Sequence, residues 1–389
     1  MSKPKVLFYV QHLLGIGHLK RATTLARAMT DAGLQVTVVS GGEYVPVIDD
    51  SGMEFVQLPA IRAEDRTFKT LVNMKGAQLS DALKEKRRNK LLNLFNEICP
   101  EILMIELFPF GRRQLEFEVL PLLDTANGAD MRPIIVSSVR DILVEKNNSS
   151  READMVKKAK AYFDHILVHG DPNLIAFEET FPLASELRHM LHYTGYVVER
   201  ESFVRSQKKI GLGEVIVSSG SGAVGELLLR SALRIRKFTY LSEVKWRLLA
   251  GHYMPEEVFE SIRASADKGV MVERARPDFI SLLQNCRLSI SQGGYNTVME
   301  VLATGANGIA VPYAGGRETE QTLRVKLMEK RGLIRQIPEG QLSDKILIEA
   351  VNRTQNQTRN KKFKINMDGA IASANLVATW AKELKQSYA

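Results

Sequence analysis

Short apolar segments alternate with longer amphipathic segments along most of the chain. The first apolar segment, KVLFYV at 5–10, is rich in β-branched and aromatic residues. The stretch at 18–33 then repeats apolar positions at helical spacing and ends at a glycine. This pattern is typical of a buried strand followed by a helix. Its repetition predicts a parallel sheet with helices on both faces.

The predicted strands form two groups, separated by a polar stretch at 199–209. The strands are predicted at 5–10, 34–42, 101–107, 132–139 and 164–170, and then at 214–220, 245–251, 269–273, 287–291 and 308–312. We therefore predict an α/β protein of two Rossmann-like doubly wound domains, at 1–198 and 199–367. A C-terminal helix, within 368–389, is expected to pack back on the first domain.

Composition narrows the class of protein. The 389 residues are 44% hydrophobic and 25% charged, as expected of a folded protein with two domains. Cys99 and Cys286 are far apart and lack metal-ligand spacing, so we expect buried thiols in a reducing compartment. No apolar stretch reaches the roughly 20 residues of a membrane helix, so we expect a cytoplasmic protein. The net charge of +8 favours anionic partners. The basic runs at 84–90 and 359–364 are expected to be solvated, and no nucleic-acid signature accompanies them.

A glycine turn follows the first strand of the first domain. Gly15 and Gly17 precede a helix, and His18 stands at its start. Glycines let a ligand approach backbone N–H groups, and a helix N-terminus favours negative charge, so both glycines are candidate phosphate ligands. His18 could act as a general base, because the ordinary pKa of histidine lies near neutral pH. A histidine bonded only to backbone or water is the alternative.

A second glycine turn follows the first strand of the second domain. Gly220, Gly222 and Gly225 match G-x-G-x-x-G between a strand and a helix, which makes a Rossmann dehydrogenase a rival hypothesis. The acid that such an enzyme needs could only be Glu243, which lies before the next strand instead of at its end. We therefore favour a phosphate-binding turn, with Ser221 between its first two glycines, over a nicotinamide site.

The stretch SQGGYNTVME at 291–300 suits a nucleotide. Its glycines and polar groups could hold a diphosphate at a helix end, and Glu300 could bind a ribose. Thr297 and Glu300 also fit a capping box, which needs no ligand. A second polar cluster, RETEQ at 317–321, follows the next strand. Because ligands bind beyond the carboxyl ends of parallel strands, this neighbouring cluster favours a sugar attached to the nucleotide.

Together with GIGH at 15–18, these motifs resemble the two-domain GT-B glycosyltransferases, especially a bacterial MurG-like branch of the family 28 C-terminal type. The resembling signature is G-G-Y-N-T-x-x-E at 293–300, followed by Gly305, Pro312 and 320–321. The resemblance implies two domains that face a cleft. It also implies inverting transfer of a sugar from a nucleotide sugar, with a UDP-hexose or UDP-N-acetylhexosamine as donor and a hydroxyl as acceptor. No metal and no cofactor are implied.

The resemblance assigns a role to each candidate residue. His18 would be the catalytic base, and Glu300 would bind the ribose hydroxyls. The other implied roles are phosphate binding by Gly220, Ser221, Gly222, Gly294, Asn296 and Thr297, base binding by Ala275 and Arg276 through backbone groups, and sugar binding by Glu320 and Gln321. Gln292 stands where plant-type relatives carry a phosphate-binding histidine, so we expect that contact to be weakened or water-mediated here.

The stretch IELFPFGRRQLEFEVLPLL at 105–123 has no counterpart in MurG, so the MurG acceptor cannot be transferred to this chain. Its two phenylalanines are expected to pack in the core. Arg112 and Arg113 are hard to bury without partners, and Glu106 could be one. We hypothesise that these three residues face an anionic or lipid-linked acceptor, because guanidinium groups bind phosphate and carboxylate alike. The basic charge also favours weak contact with an anionic membrane, at the inner face of the cell membrane.

Three other functions stay open. A nucleotide-sugar hydrolase or an epimerase could use the same scaffold, and a hydrolase would place water where the acceptor binds. Product analysis separates these from a transferase. A non-catalytic nucleotide-sugar binding protein is the alternative from another class, and the presence of His18 argues against it.

Overall fold

The structure is a computed structural model that describes residues 3–13, 15–45, 52–65, 70–143, 149–199, 209–220, 225–315, 320–355 and 364–388. Contacts divide the chain into two compact units. The first comprises Met1–Val197 with Asp368–Ala389, and the second comprises Val198–Met367. Most of the predicted hinge, 200–208, lies outside the described residues. Each unit has its own parallel sheet.

The first unit begins with a strand, a helix and a second strand, as the apolar pattern predicts. Its strands are β1 (Lys5–Val10), β2 (Gln35–Ser40), β3 (Glu54–Gln57), β4 (Ile61–Ala63), β5 (Leu71–Asn73), β6 (Ile102–Glu106), β7 (Ile134–Arg140), β8 (His165–His169) and β9 (Leu191–Tyr193). Its first helices are α1 (Gly17–Asp31), α2 (Asp81–Ile98), α3 (Glu116–Asn127) and α4 (Ser149–Tyr162).

The main sheet of the first unit has seven parallel strands in the order β3-β2-β1-β6-β7-β8-β9. The short β4 and β5 pair separately as an antiparallel hairpin. The central strands β1, β6 and β7 are mostly apolar and almost entirely buried, as expected where helices cover a parallel sheet. The strand order runs in opposite directions from β1 and from β6. Such a switch point is where open α/β sheets bind ligands, beyond the carboxyl ends of the strands.

The second unit repeats this design with a smaller sheet. Its strands are β10 (Val215–Ser218), β11 (Trp246–Ala250), β12 (Val270–Arg274), β13 (Leu288–Gln292), β14 (Gly308–Val311) and β15 (Arg335–Gln336). Its helices are α5 (Glu226–Ile235), α6 (Glu256–Ala264), α7 (Phe279–Asn285), α8 (Tyr295–Thr304), α9 (Glu320–Lys330) and α10 (Asp344–Thr354). The parallel order is β12-β11-β10-β13-β14-β15, so its switch point lies between β10 and β13.

The C-terminal helix, α11 (Gly369–Ser387), returns to the first unit and packs against α1 and β7. At its start, a Cβ on Gly369 would lie 2.3 Å from the carbonyl oxygen of Gly195, so only glycine permits this approach. Further along, the Trp380 ring stacks on His165 with centroids 3.9 Å apart. These contacts attach α11 to the first unit.

Each of the ten predicted strands is present, and the α/β fold class is confirmed. The strands missing from the prediction (β3, β4, β5, β9 and β15) are short and mostly only partly buried, so they lack a continuous apolar run. The expectation of two buried thiols is wrong for Cys99, which is exposed. Cys99 is the C-cap of α2 and has a φ of 45°. Cys286 is partly buried. Burial raises the pKa of its thiol to about 12.

Candidate active site

His18 lies in the first turn of α1 and is hydrogen-bonded to the carboxylate that ends β6. Its Nδ1 is 3.0 Å from Glu106 Oε1, although the two residues are 88 positions apart. The Glu106 side chain is 1% exposed and the His18 side chain 14%. A carboxylate at Nδ1 favours the proton on that nitrogen, which leaves Nε2 to accept one. The alternative of a histidine bonded only to backbone or water is therefore wrong.

Glu106 is held by groups from several elements. Arg21, on α1, forms an ion pair with Oε1, the oxygen that also meets His18. Ser138, on β7, donates to Oε2 at 2.5 Å and also lies 2.9 Å from His169 Nε2. Burial alone would raise the pKa of Glu106, but Arg21 and His18 outweigh it and hold that pKa well below its ordinary value. Glu106 is therefore ionised at neutral pH.

The surroundings of His18 keep it neutral. Burial lowers its pKa well below the ordinary value, and the positive charges of Arg140, Arg112 and Arg21 lower it further. The hydrogen bond to Glu106 opposes this effect without reversing it. At neutral pH the imidazole is thus in the form that can accept a proton.

The two adjacent arginines predicted on the acceptor side have different environments. Arg112 is half-buried, takes a left-handed conformation (φ 61°), and donates from Nε to the carbonyl of Gln11 at 3.1 Å. Burial and the charge of Arg140 lower its pKa to about 10. Arg113 is exposed and makes no hydrogen bond or ion pair with the described residues. Glu106 forms its ion pair with Arg21, which the sequence did not single out, and not with Arg113.

A buried ion pair supports the loop that follows β1. Arg87 of α2 is 0% exposed and lies 2.7 Å from Glu118 of α3. Its guanidinium also donates to the carbonyl of Gly41 at 3.0 Å and to Gln11 Oε1 at 2.9 Å. The expectation that the whole run at 84–90 is solvated is therefore wrong for Arg87, because Glu118 supplies a buried counter-charge. Gln11, fixed in this way, is the residue whose carbonyl receives Arg112.

In the second unit, the predicted phosphate residues begin α8. Gly294 is its N-cap, so no side chain caps the helix, and Asn296 and Thr297 lie half-buried in the first turn. The first backbone N–H groups of such a helix have no partner within the helix and attract anions. Thr297 is inside the helix and not at its N-cap, so the capping-box alternative is wrong. Glu300 lies one turn beyond Asn296 and Thr297 on the same face of α8, and it is 5% exposed.

The glycine turn after β10 lies beside the N-terminus of α8. Ser218 of β10 pairs with Ser291 of β13, so the segments that follow these strands emerge side by side. Gly220 has φ 73° and Gly225 has φ 106°, which favours glycine at both positions. Of the other predicted phosphate ligands, Ser221 and Gly222 lie outside the described residues.

The glycine turn of the first unit is less constrained than that of the second. Gly15 has open space where a Cβ would lie, and Gly17 is the first residue of α1. The N-cap, Ile16, forms no side-chain hydrogen bond. A side chain could therefore be accommodated at Gly15, and the structure does not require glycine at that position.

The two residues predicted to bind the donor sugar differ in how many of their polar atoms already have a hydrogen-bond partner. Glu320 is 2% exposed and lies 2.8 Å from Arg324, whose guanidinium is 5.0 Å from the centre of the Tyr295 ring. Gln321 is half-buried and accepts the N–H of Tyr313 at its Oε1, 3.1 Å away. The amide N–H groups of Gln321 have no partner among the described residues. Gln321 is thus the more available donor of a hydrogen bond.

The segment predicted to pass the nucleotide base follows β12. Ala275 is exposed, and its N–H donates to Ala250 at 2.8 Å. The guanidinium of Arg276 is 2.8 Å from Asp278 and 3.3 Å from Glu273, and the hydrogen bond to Asp278 raises its pKa. Because the guanidinium is engaged, this segment offers a base mainly backbone groups.

Known proteins are similar to this chain in both sequence and fold. Residues 226–379 match the model of the glycosyltransferase family 28 C-terminal domain. CalG4, the calicheamicin glycosyltransferase, superimposes with a TM-score of 0.61 at 16% identity, covering 99% of this chain and 98% of that one. MurG of Acinetobacter baumannii gives a TM-score of 0.54 at 12% identity, covering 98% and 99%. The chain has the GT-B fold, and residues 226–379 are similar to the glycosyltransferase family 28 C-terminal domain.

Two curated proteins similar to this chain are named UDP-N-acetylglucosamine–N-acetylmuramyl-(pentapeptide) pyrophosphoryl-undecaprenol N-acetylglucosamine transferase. The one from Thermotoga neapolitana is 22% identical over 192 residues, which is 49% of this chain and 53% of the relative. The one from Prochlorococcus marinus is 22% identical over 265 residues, which is 66% of this chain and 68% of the relative. The chain thus spans about half of the first relative. The predicted resemblance to MurG-like GT-B proteins is confirmed.

Metal sites and membrane spans would both change the chemistry open to the protein. In the described part of the chain, no group of three or more His, Cys, Asp or Glu side chains is arranged to hold a metal ion. None of the helices in the described ranges combines the length and apolarity needed to cross a membrane.

Proposed function

We propose that the protein is an inverting glycosyltransferase that moves a hexose or N-acetylhexosamine from a UDP-sugar to a hydroxyl acceptor. The observation that carries this proposal is the His18–Glu106 pair at the switch point of the first sheet. A neutral imidazole oriented by a buried carboxylate is suited to general-base catalysis. The family 28 domain and the GT-B fold support the assignment to glycosyl transfer.

On the acceptor side, Nε2 of His18 takes the proton of the acceptor hydroxyl as its oxygen attacks the anomeric carbon of the donor sugar. The leaving nucleoside diphosphate departs from the opposite face, so configuration inverts. Glu106 keeps the imidazole in the required tautomer and stabilises the positive charge that the ring gains, as the buried aspartate does in serine proteases.

On the donor side, the diphosphate binds to backbone N–H groups of the second unit. Gly294, Asn296 and Thr297 supply the N-terminus of α8. Gly220 follows the neighbouring strand β10, and Ser221 and Gly222, which lie outside the described residues, keep their predicted role in phosphate binding. These dipoles stabilise the negative charge that develops on the leaving group, without a metal in the proposed mechanism. Glu300 accepts hydrogen bonds from the ribose. UDP is the proposed nucleotide because both curated relatives are named for a UDP-sugar.

The donor sugar binds next to the start of α9. Gln321 donates its amide N–H groups to a sugar hydroxyl, and Glu320 contributes less because Arg324 already occupies one of its oxygens. The uracil base lies along Ala275 and Arg276, against backbone groups. The undecaprenol in the names of the relatives supports a lipid-linked acceptor here, and hence weak attachment of a cytoplasmic protein to the inner face of the membrane.

Thermal unfolding with a panel of nucleotides tests the donor assignment. A ligand that binds only the folded state stabilises it by about 2.7 kcal/mol at 100 times its Kd. UDP and a UDP-sugar should raise the Tm more than GDP, ADP or NAD. Stabilisation by NAD with none by UDP would support a dehydrogenase instead.

Product analysis then tests the reaction. The protein is incubated with a radiolabelled UDP-sugar and bacterial membrane lipids, and label should enter the lipid fraction with inverted anomeric configuration. Free labelled sugar would indicate a hydrolase and a changed sugar an epimerase. Binding without turnover of any donor, with or without lipids, would indicate a binding protein.

A further inference from the structure

The carboxylate that orients His18 belongs to a longer chain of buried polar groups. Ser138 Oγ lies 2.5 Å from Glu106 Oε2 and 2.9 Å from Nε2 of His169. The other ring nitrogen of His169, Nδ1, lies 3.0 Å from the hydroxyl oxygen of Thr194. Glu106, Ser138, His169 and Thr194 are each at most 2% exposed. The Glu106 carboxylate is therefore connected to a second histidine through a single hydroxyl group.

This polar chain runs across the carboxyl ends of neighbouring strands. Glu106 ends β6 and pairs in register with Ser138 of β7. His169 ends β8 and pairs with Arg140, which lies two positions beyond Ser138 and thus on the same face of β7. Because β6, β7 and β8 are adjacent in the sheet, their side chains on this face lie within hydrogen-bond distance of one another.

The ionised state of Glu106 fixes the direction of each hydrogen bond in the polar chain. A carboxylate can only accept, so the single proton of the Ser138 hydroxyl is directed to Glu106 Oε2. Ser138 Oγ must then accept from His169, which requires the proton of the neutral His169 ring to be on Nε2. Burial keeps that ring neutral, since it lowers the pKa of His169 to about 3. Nδ1 of His169 is therefore an acceptor, and the Thr194 hydroxyl is its donor.

Ser138 also determines how the Glu106 carboxylate is rotated. In the described part of the chain, Ser138 is the hydrogen-bond partner of Oε2, and Oε1 faces His18 and Arg21. Loss of the Ser138 hydroxyl would leave Oε2 buried without that partner, which is costly for a charged group. The carboxylate could then turn away from His18. The donor on His169 polarises the Ser138 hydroxyl and so strengthens its bond to Glu106.

We propose that Ser138 and His169 are positioning residues for His18. They hold the Glu106 carboxylate in the orientation that keeps the His18 proton on Nδ1 and leaves Nε2 to accept a proton. The use of His18 as a base rests on the proposed function, whereas the orientation of its ring rests on the hydrogen bonds alone. Both residues act through Glu106 and not on a substrate. The alternative is that the polar chain contributes to stability alone.

Nitrogen chemical shifts of the histidine rings test the expected tautomers in the full-length protein. Histidines are labelled with ¹⁵N, and the two signals are assigned with His18→Gln and His169→Gln. At neutral pH, the unchanged protein should have the proton of His169 on Nε2 and that of His18 on Nδ1. A proton on Nδ1 of His169 would contradict the direction of the polar chain and overturn the proposal.

Ser138→Ala should release the carboxylate. We expect the tautomer of His18 with the proton on Nε2 to become populated. We also expect kcat to fall about 10-fold, the lower end of the effect of a hydrogen bond to a charged group. The KM for the UDP-sugar should not change, because the donor is proposed to bind the second unit.

Ser137→Ala is the matched control for this variant. Ser137 is as fully buried as Ser138, but it lies on the other face of β7 and donates to the carbonyl of Phe108 at 2.8 Å. Its replacement removes one buried hydroxyl without touching Glu106. The tautomer of His18 and kcat should therefore stay as in the unchanged protein.

Two substitutions of His169 separate positioning from packing, and they give the same test if Ser138→Ala does not fold. The amide nitrogen of glutamine reaches the place of Nε2, so His169→Gln keeps a donor for Ser138. The shorter asparagine places its amide near the position of Nδ1, so His169→Asn loses that donor. His169→Gln should keep the His18 proton on Nδ1 and retain most of kcat. His169→Asn should resemble Ser138→Ala.

Two outcomes separate this inference from the proposed function. If Ser138→Ala and His169→Asn leave the His18 tautomer unchanged, the polar chain contributes to stability alone; the positioning proposal is then wrong and the transferase proposal stands. If the tautomers respond as expected while no UDP-sugar is turned over, the positioning proposal stands and the transferase proposal fails.

Discussion

The two units share a sheet topology but place different kinds of group at the switch point. The first unit has buried charged side chains there, centred on His18, Glu106 and Arg21. The second unit has a glycine turn after β10 and a glycine-capped helix N-terminus at Gly294. Six of the seven histidines are also in the first unit, and the seventh is His252.

This difference follows from what each half of a transfer reaction needs. A proton acceptor requires a titratable side chain whose pKa is set by buried neighbours. A diphosphate requires close approach to many N–H groups, which backbone provides and which side chains would obstruct. The first site therefore depends on individual ion pairs, and the second depends on the path of the backbone.

The largest expected effect is on proton transfer. His18→Ala should lower turnover by about 10²–10⁴-fold, the usual contribution of a general base, and should leave UDP binding unchanged. Transfer assays and calorimetry with UDP measure the two effects. His189→Ala, an exposed histidine of the same unit, is the control. A variant that loses UDP binding together with transfer would show that the two sites are not separable in this way.

Stability should also depend on individual charges in the first unit. Removing Glu118 by substitution with Ala leaves Arg87 buried without its counter-ion, which costs about 3–5 kcal/mol of unfolding free energy. The control is Glu226→Ala in the second unit, where the exposed pair with Arg230 is worth less than about 1 kcal/mol. Urea denaturation measures both. Equal losses would contradict the proposed contrast between the units.

In the second unit, one side chain is expected to matter for the nucleotide. Glu300→Gln should weaken UDP binding by about 1.5–3 kcal/mol, the range for a hydrogen bond to a charged group. The Tm should change little, because the backbone that forms the site is intact. If UDP affinity is unchanged and the Tm falls, Glu300 has a structural role and the ribose assignment is wrong.

Acid sensitivity should also differ between the two units. Burial lowers the pKa of His12 to about 4 and that of His169 to about 3, both in the first unit. The pKa values of both histidines in the folded protein lie below the ordinary value of about 6.5. The stability that the two neutral histidines contribute is therefore complete above about pH 6.5 and is lost as the pH falls toward their folded-state pKa values. The first unit should therefore lose stability on acidification before the second unit does.

The two tryptophans allow each unit to be followed separately. Trp380 belongs to α11 of the first unit, and Trp246 to β11 of the second. Trp246→Phe leaves Trp380 as the only tryptophan, which reports on the first unit. Trp380→Phe leaves Trp246, which reports on the second unit. Between about pH 7.5 and pH 5, the urea midpoint reported by Trp380 should fall more than that reported by Trp246. A larger fall at Trp246 would contradict the prediction.

Features encoded over a few neighbouring residues were predictable. The ten strands follow from apolar runs, and the glycine turns at 15–17 and 220–225 follow from their place between a strand and a helix. The capping-box interpretation of Thr297 and Glu300 was wrong, because it depended on where the helix begins. The N-cap of α8 is Gly294, three residues before Thr297, which that interpretation placed at the N-cap.

The sequence by itself thus determined the two α/β units, the glycine turns and the presence of a histidine at a helix start, since each depends on short-range periodicity or on one residue type. Only the tertiary structure decided the partners of that histidine. Glu106 reaches His18 because β1 and β6 are adjacent at the switch point, and Arg21 shares its carboxylate for the same reason. It also decided that Arg112 is half-buried and bonded to the carbonyl of Gln11 while Arg113 is exposed. Strand order and a left-handed backbone conformation separate these two neighbours, and no local pattern encodes either.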